Sequence, residues 1–307
     1  MQISANGISL EVEDHGSPAG EPLLLIMGLG MQLLAWHDDF VQRLVASGFR
    51  VIRFDNRDIG LSQSFDALGV PHLAAMALKH ALGLPVRSPY SLADMADDSA
   101  GVLDALGIAQ AHVCGASMGG MVAQHLAVRH PQRVKSLCLM MTSSGARGLP
   151  GPSLKVGAAL LSRPQNPRDV DSVVAHYVRL FKLIGSPGYP AEEAWMREWL
   201  HRAARRSYRP RGTARQLAAI VADGDRSPLL PRITAPTQVL HGSADPLVPP
   251  AAGRDLAAKI AGARLDLVEG MGHDLPVALW PRFIEAINAA ARRPCAPAPA
   301  STPIPAC

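Results

Sequence analysis

Short apolar runs alternate with segments whose apolar residues recur at helical spacing along most of the chain. Short apolar runs between turn signals are typical of strands buried on both faces of a parallel sheet. Residues 22–27, 50–54, 111–116 and 134–141 are predicted to be strands of this kind. Apolar residues spaced by three and four positions instead indicate helices that bury one face. The alternation of the two patterns predicts an α/β fold with a mostly parallel sheet.

Two further pairs of segments complete the predicted sheet. At the amino-terminal end, residues 2–4 and 8–13 read as a hairpin, and Asn6-Gly7 between them suits a tight turn. Near the other end, residues 237–240 and 264–268 have the pattern of strands. With the four runs above, these segments predict eight strands. Helical spacing predicts helices over residues 36–46, 72–82, 92–106, 118–130 and 279–292.

The alternation stops between residues 143 and 228. Only helical patterns occur there, punctuated by prolines, and the strand pattern resumes at Ala235. The predicted helices lie near residues 153–162, 170–184, 191–207 and 213–223. After residue 293 the chain is rich in Pro and Ala, with too little apolar bulk to fold. We therefore predict a core in two parts, 1–142 and 229–293, a helical part, 143–228, and a disordered tail, 294–307.

Composition and charge narrow the choice of partners. The chain has 307 residues, of which 48% are hydrophobic, enough for a sizeable core. Its formal net charge is +4, and basic residues are concentrated in residues 201–215. No aromatic interleaving or nucleic-acid motif accompanies them. We interpret this basic stretch as a solvated helix face and expect no nucleic-acid partner.

Cysteines and targeting signals bear on the compartment. Cys114 and Cys138 lie in predicted buried strands, and Cys295 and Cys307 lie in the predicted tail, so their spacing gives no disulfide framework. Reduced thiols predict a cytoplasmic protein. Residues 1–16 lack the charged start and apolar run of a signal peptide, and no apolar run reaches the roughly 18 residues that a membrane span needs. We expect neither a membrane anchor nor a membrane partner.

A candidate nucleophile lies where a predicted strand meets a predicted helix. Residues 115–119 read Gly-Ala-Ser-Met-Gly, a G-x-S-x-G pattern in the strand-turn-helix context that it requires. The turn presents Ser117 at the end of the strand, and the helix directs its unpaired N–H groups and positive dipole end towards the same place. A serine is a weak nucleophile at neutral pH, so this one needs a base within hydrogen-bond reach.

Two residues further along the chain are predicted to supply that base and its partner. Asp245 follows the strand at 237–240, and His273 follows the strand at 264–268. Nucleophile, acid and histidine thus occur in the order Ser, Asp, His, each just past a strand. Other aspartates that could serve as the catalytic acid are Asp223, Asp225, Asp266 and Asp274. We predict Ser117, Asp245 and His273 as the catalytic residues.

The histidines other than His273 are not expected to take part in catalysis or to bind a metal. His241 lies in a turn and is interpreted as structural, and the other histidines lack the spacing of metal ligands. We therefore expect no metal and no cofactor.

These motifs, in this order, resemble the α/β-hydrolase superfamily over nearly the whole chain. The resemblance implies the α/β-hydrolase fold, with an eight-stranded, mostly parallel sheet, helices on both faces and a helical cap after the sixth strand. We call residues 143–228 the cap segment. The resemblance also implies an oxyanion hole made by the backbone N–H groups of Leu29 and Met118.

A turn after the strand at 50–54 supports the same resemblance. Residues 55–62, DNRDIGLS, are similar to the superfamily's Asp-x-Arg-Gly-x-Gly-x-Ser turn, with Asp58 in place of the usual glycine. Asp55 and Arg57 could be mistaken for catalytic groups. In the superfamily this turn is structural, which implies a structural role for both residues here.

Residues 24–62 look like the aclacinomycin methylesterase group, whose members hydrolyse a methyl ester on a polycyclic substrate. We predict a serine carboxylic ester hydrolase that forms an acyl-enzyme from a hydrophobic ester of small to medium size. Its partners would be the ester and water, and the protein would be a monomer or homodimer. Residues predicted to line the substrate pocket are Met27, Gly28, Met141 and Met271.

Other functions use the same apparatus. A lactonase, a carbon–carbon bond hydrolase and a cofactor-free haloperoxidase stay open as alternatives. A non-catalytic ligand-binding protein of the same fold is the alternative from a different class.

Overall fold

A computed structural model describes residues 1–293, without the side chains of residues 77, 80 and 81. Its strands form one eight-stranded sheet in the order β1-β2-β4-β3-β5-β6-β7-β8. The first two pairings, β1 with β2 and β2 with β4, are antiparallel, and all others are parallel. The predicted mostly parallel sheet is therefore confirmed. The strands are β1 Gln2–Ala5, β2 Ile8–His15, β3 Glu21–Ile26, β4 Phe49–Phe54, β5 Ala111–Ala116, β6 Val134–Met140, β7 Thr237–Gly242 and β8 Arg264–Val268.

Within residues 1–293, ten α-helices are present, and the sequence pattern predicted nine of them. The helix that it missed, Ala251–Lys259, is short and buries only Ala252, Gly253 and Leu256, so it lacks a clear apolar stripe. The helices are α1 Asp38–Ala46, α2 Leu73–Ala81, α3 Leu92–Ala105, α4 Met118–Arg129, α5 Leu154–Leu161, α6 Val170–Ile184, α7 Glu193–Arg206, α8 Pro210–Asp223, α9 Ala251–Lys259 and α10 Trp280–Ala291. Short 3-10 turns span Leu33–Ala35, Asp66–Leu68, Pro131–Arg133, Ser227–Arg232 and Val277–Leu279.

The core lies on both faces of the sheet, as expected for buried parallel strands. Successive residues of a strand point to opposite faces. In β3, Leu24 and Ile26 join the cluster that packs under α3 and α4, while Leu23 and Leu25 join the cluster that packs under α1 and α10. The predicted arrangement of helices on both faces is confirmed. In the part of the chain that the structure describes, no helix has the length and continuous apolar character needed to span a bilayer.

The four helices α5 to α8 lie between β6 and β7, where the cap segment was predicted. Helices α6 and α7 pack through Val174, Val178, Met196 and Leu200. The division of the chain into core and cap segment stays a prediction. The predicted disordered tail lies outside the described residues.

The basic stretch at 201–215 is not a solvated helix face throughout, so that interpretation is wrong for part of it. Arg215 is only 1% exposed, and its guanidinium pairs with Asp58 and Asp66. Arg206 is partly buried and pairs with Asp55. The reason is that the acidic turn at 55–62 lies under the cap segment, and charges that lose their water need partners.

Asp58 occupies the position where the superfamily has glycine, and its backbone shows why glycine is usual. Its φ of 72° is in the left-handed region, which Asp tolerates better than most residues. The carboxylate accepts hydrogen bonds from Arg215 Nη2 at 2.7 Å, Arg215 Nε at 2.8 Å and the Phe65 N–H at 2.8 Å. Both side chains are buried, so Asp58 and Arg215 form a buried ion pair between core and cap segment.

Breaking this pair is expected to destabilise the protein. We expect Arg215→Met to lower the free energy of unfolding by about 3 kcal/mol, because a buried carboxylate then lacks its counter-charge. The double variant Asp58→Gly/Arg215→Met should recover most of the loss, since glycine suits a positive φ and leaves no buried charge. Urea unfolding of both variants and the wild type measures the difference. A double variant no more stable than Arg215→Met would contradict this account.

Candidate active site

Ser117 lies at the sharp turn between β5 and α4. Its φ of 54° and ψ of −121° place it in a conformation that non-glycine residues rarely adopt. Glycines on either side permit the turn to pack tightly. A Cβ on Gly115 would lie 2.4 Å from the Gly119 carbonyl oxygen, and one on Gly119 would lie 2.0 Å from the Ile26 carbonyl oxygen. The G-x-S-x-G pattern is therefore required by the close approach of β3, β5 and α4.

The structure brings Ser117, His273 and Asp245 together. His273 Nε2 lies 3.0 Å from Ser117 Oγ, and His273 Nδ1 lies 2.7 Å from Asp245 Oδ2. The histidine is 7% exposed and the aspartate 4% exposed. With its proton on Nδ1, the imidazole donates to the carboxylate and turns the lone pair of Nε2 towards the serine hydroxyl. This arrangement can remove the serine proton and hold it.

Backbone contacts orient the carboxylate of Asp245. Its Oδ1 accepts hydrogen bonds from the N–H groups of Leu247 at 2.9 Å and Val248 at 2.8 Å. Oδ2 is left for the imidazole. The turn after β7 therefore fixes both oxygens of the acid.

The loop that carries His273 is held by the last residue of α6 and by residues just after it, in the cap segment. The His273 N–H donates to the Ile184 carbonyl at 2.7 Å, and the Gly272 N–H donates to Ser186 Oγ at 2.8 Å. Gly188 N–H in turn donates to the Gly270 carbonyl at 2.9 Å. Sequence reasoning missed Ser186, because one serine between a helix and a proline carries no recognisable pattern.

Within residues 1–293, none of the four alternative aspartates forms a hydrogen bond with His273. Asp223 bonds to His125 and Arg226, Asp225 to the Ser227 N–H, and Asp266 to Arg282. Asp274 instead accepts a hydrogen bond from Ser186 Oγ. Burial raises the pKa of Asp274, and the hydrogen bonds from Ser186 oppose that rise.

The residues interpreted as structural form their hydrogen bonds outside the triad, although His241 Nε2 also lies 3.7 Å from Asp245 Oδ2. Asp55 accepts from the N–H groups of Leu33 at 2.8 Å and Leu61 at 2.9 Å. Arg57 forms a buried ion pair with Asp98. His241 is fully buried, its Nε2 lies 2.8 Å from the Val248 carbonyl oxygen, and burial lowers its pKa.

Two backbone N–H groups are available beside Ser117. Met118 is the first residue of α4, where helical N–H groups have no partner within the helix. Within the described part of the chain, the Leu29 N–H donates to no protein acceptor. A Cβ on Gly28 would lie 3.1 Å from Ser117 Cβ, so the loop carrying Leu29 lies against the serine. The oxyanion-hole roles of Leu29 and Met118 stay a prediction.

The predicted pocket residues lie close to the site but are well buried. Met27, Met141 and Met271 belong to the core cluster under α1 and α10. Their role as pocket walls stays a prediction. A separate groove of about 420 Å³ lies between α5 and α6, and its lining includes none of them.

The sheet, the nucleophile turn and the Ser-His-Asp contacts define the class of protein. Residues 21–277 match the sequence profile of a family described as alpha/beta hydrolase fold. The chain therefore belongs to the α/β-hydrolase family.

Comparison with individual proteins shows which known enzymes the chain is similar to. The chain is 30% identical to the rhodomycin D methylesterase DauP of Streptomyces sp. (strain C5) and 31% identical to the rhodomycin D methylesterase DnrP of Streptomyces peucetius. Each match covers 94% of this chain and 97% of the relative. Among solved structures, the enol-lactonase of Burkholderia xenovorans LB400 is similar, with a TM-score of 0.68 and 26% identity, over 95% of this chain and 100% of that one. The expected resemblance to methylesterases is confirmed.

Proposed function

We propose that the protein is a serine carboxylic ester hydrolase that acts on a hydrophobic ester of small to medium size through an acyl-enzyme intermediate. The observation that carries the proposal is the continuous hydrogen-bonded chain from Ser117 through His273 to Asp245. Membership of the α/β-hydrolase family and the similarity to two methylesterases support it.

The proposed reaction proceeds in two halves. His273 Nε2 takes the proton of Ser117 as Oγ bonds to the ester carbonyl carbon, and Asp245 stabilises the imidazolium that results. The imidazolium then protonates the leaving alcohol as the ester bond breaks. In the second half, His273 removes a proton from water as the water oxygen bonds to the carbonyl carbon of the acyl-enzyme. The imidazolium then returns that proton to Ser117 Oγ as its bond to the carbonyl carbon breaks and the carboxylic acid is released.

The negative charge that develops on the carbonyl oxygen also needs a partner. We assign this role to the N–H groups of Leu29 and Met118. The assignment is supported by the place of Met118 as the first residue of α4, directly after Ser117, and by the lack of a protein acceptor for the Leu29 N–H within residues 1–293. Losing one such donor typically costs about 3 kcal/mol of transition-state stabilisation.

The proposed substrate class rests on the two methylesterase relatives and on the apolar residues that are predicted to line the pocket. Both methylesterases act, by name, on rhodomycin D. Methyl esters of bulky hydrophobic acids are therefore the first substrates to test. We also propose a monomer or homodimer, a cap segment that covers the strand ends, and a cytoplasmic location in keeping with the free, buried Cys114 and Cys138.

The test measures acid release by the wild-type protein at constant pH. The panel contains methyl esters of bulky hydrophobic acids, p-nitrophenyl esters of short and medium chain length, and five- and six-membered lactones. We expect turnover of the esters. Binding of these compounds without turnover would contradict the proposal and favour the ligand-binding alternative.

A lactonase is the second candidate, because the enol-lactonase structure is similar over 95% of this chain. A lactone is a cyclic ester, so the same residues would open it. Faster turnover of the lactones than of every open-chain ester in the panel would favour this candidate.

A further inference from the structure

The loop at residues 27–31 must hold the Leu29 N–H in one orientation if that group is to stabilise an oxyanion. Two peptide groups flank the Gly28-Leu29 peptide, and each makes a hydrogen bond to a side chain. Asn56 Nδ2 donates to the Met27 carbonyl at 2.8 Å. The Gly30 N–H donates to Gln216 Oε1 at 2.9 Å.

Gln216 reaches this loop from the cap segment. Gln216 lies in α8 and is 0% exposed. Besides accepting from Gly30, its carboxamide donates through Nε2 to the Arg57 carbonyl at 2.9 Å. A group that both accepts and donates is needed here, and a carboxamide supplies both functions. Gln216 therefore joins the loop to the turn that also contains Asn56.

Packing brings α8 against the same loop. Gly30 has a φ of 69°, and a Cβ there would lie 2.9 Å from the Thr213 side chain. The loop closes on itself through the Met31 N–H, which donates to the Gly28 carbonyl at 3.3 Å. With α8 in place, the loop has little room to shift.

We propose that Gln216 is a positioning residue for catalysis, which holds the Leu29 N–H in the orientation that stabilises the oxyanion. This inference rests on the proposed function. Within residues 1–293, Gln216 forms no hydrogen bond with the triad, and it acts through the Gly30 and Arg57 backbone groups. An oxyanion donor matters more in the transition state than in the ground state, so Gln216 affects kcat and leaves KM nearly unchanged.

The main variant is Gln216→Met, which keeps the length of the side chain and removes both hydrogen bonds. We expect kcat to fall by about 10- to 100-fold, with KM within about twofold, because a misplaced donor costs about that much. A boronic acid that forms a tetrahedral adduct should bind more weakly to this variant, so its inhibition constant should rise by a similar factor. The binding of the product carboxylic acid should not change.

Ser207→Ala is the matched control. Ser207 Oγ donates to the Gly60 carbonyl at 2.8 Å, which is another contact between cap segment and core but does not involve residues 27–31. This variant should retain wild-type kcat and inhibitor binding. An equal fall of kcat in both variants would show that general loosening of the cap segment is responsible, and it would overturn the proposal.

Gln216→Glu provides a second, independent readout. Its carboxylate can accept from Gly30 but cannot donate to Arg57, whereas its protonated form can do both. The ratio of its kcat to that of the wild type should therefore rise as the pH falls. This variant also carries the test if Gln216→Met does not fold.

The outcomes separate the two proposals. A wild-type protein without turnover of any ester or lactone refutes the proposed function itself. An active wild type with unchanged kcat in Gln216→Met, or with a pH-independent ratio in Gln216→Glu, refutes the positioning role alone.

Discussion

Replacing Ser117 with alanine is expected to lower kcat for ester hydrolysis by about a millionfold, because no other group can form the acyl-enzyme. The hydroxyl lies 3.0 Å from His273 Nε2, and within the described residues His273 bonds to no other hydroxyl. A residual rate about a thousandfold above that in water should persist, since binding and the oxyanion donors remain. Initial rates with a p-nitrophenyl ester measure the effect.

The control for this experiment is Ser47→Ala. The hydroxyl of Ser47 is exposed and caps the carbonyl of Arg43 at the end of α1. This variant should keep wild-type kcat. A fluorophosphonate should transfer its phosphonyl group, with loss of fluoride, to the wild type and to Ser47→Ala but not to Ser117→Ala, as the mass of each protein shows. Turnover that survives in Ser117→Ala would remove the assignment of the nucleophile.

Replacing Asp245 with asparagine is expected to lower kcat by about ten thousandfold. The carboxylate of Asp245 accepts a hydrogen bond from the N–H of His273 Nδ1 at 2.7 Å, which leaves Nε2 unprotonated beside the serine. An amide at this position can donate to Nδ1, which favours the wrong tautomer and offers no charge to stabilise the imidazolium. Because the acid does not touch the substrate, KM should change little. Steady-state kinetics with the same ester separates kcat from KM.

Asp274→Asn is the matched control for the acid. This neighbour of His273 is a partly buried carboxylate, but it bonds to Ser186 instead of the imidazole. Its substitution should reduce kcat by less than about tenfold. If Asp274→Asn were the more damaging of the two variants, Asp245 would not be the catalytic acid.

Much of the fold could be predicted from local patterns. Buried parallel strands need apolar residues on both faces, so β3, β5 and β6 appear as apolar runs in the sequence. The start of α3 could be predicted because Ser91 and Asp94 form a capping box. The missed helix α9 shows the limit. It is Ala-rich and buries too few large side chains to produce a helical stripe.

Some residues of the candidate site could likewise be predicted from the sequence, and others could not. Ser117, Asp245 and His273 could be proposed because each lies in a local motif at the end of a strand, and their contacts follow from the topology of the sheet. Gln216 could not, because its partners are backbone groups far away along the chain, and backbone contacts leave no pattern in the side chains. Arg215 was misinterpreted for a similar reason, since its partner Asp58 lies in the core.

The hydrogen bonds from residues 184–188 to the histidine loop affect how the substrate range of this enzyme can be engineered. Transplanting an entire cap from a relative would replace Ile184 and Ser186, and with them the two acceptors that hold the backbone of Gly272 and His273. A new specificity obtained in this way would come with a displaced His273. Exchanging only helix α5, of whose side chains only Val156 is buried, would leave those contacts in place.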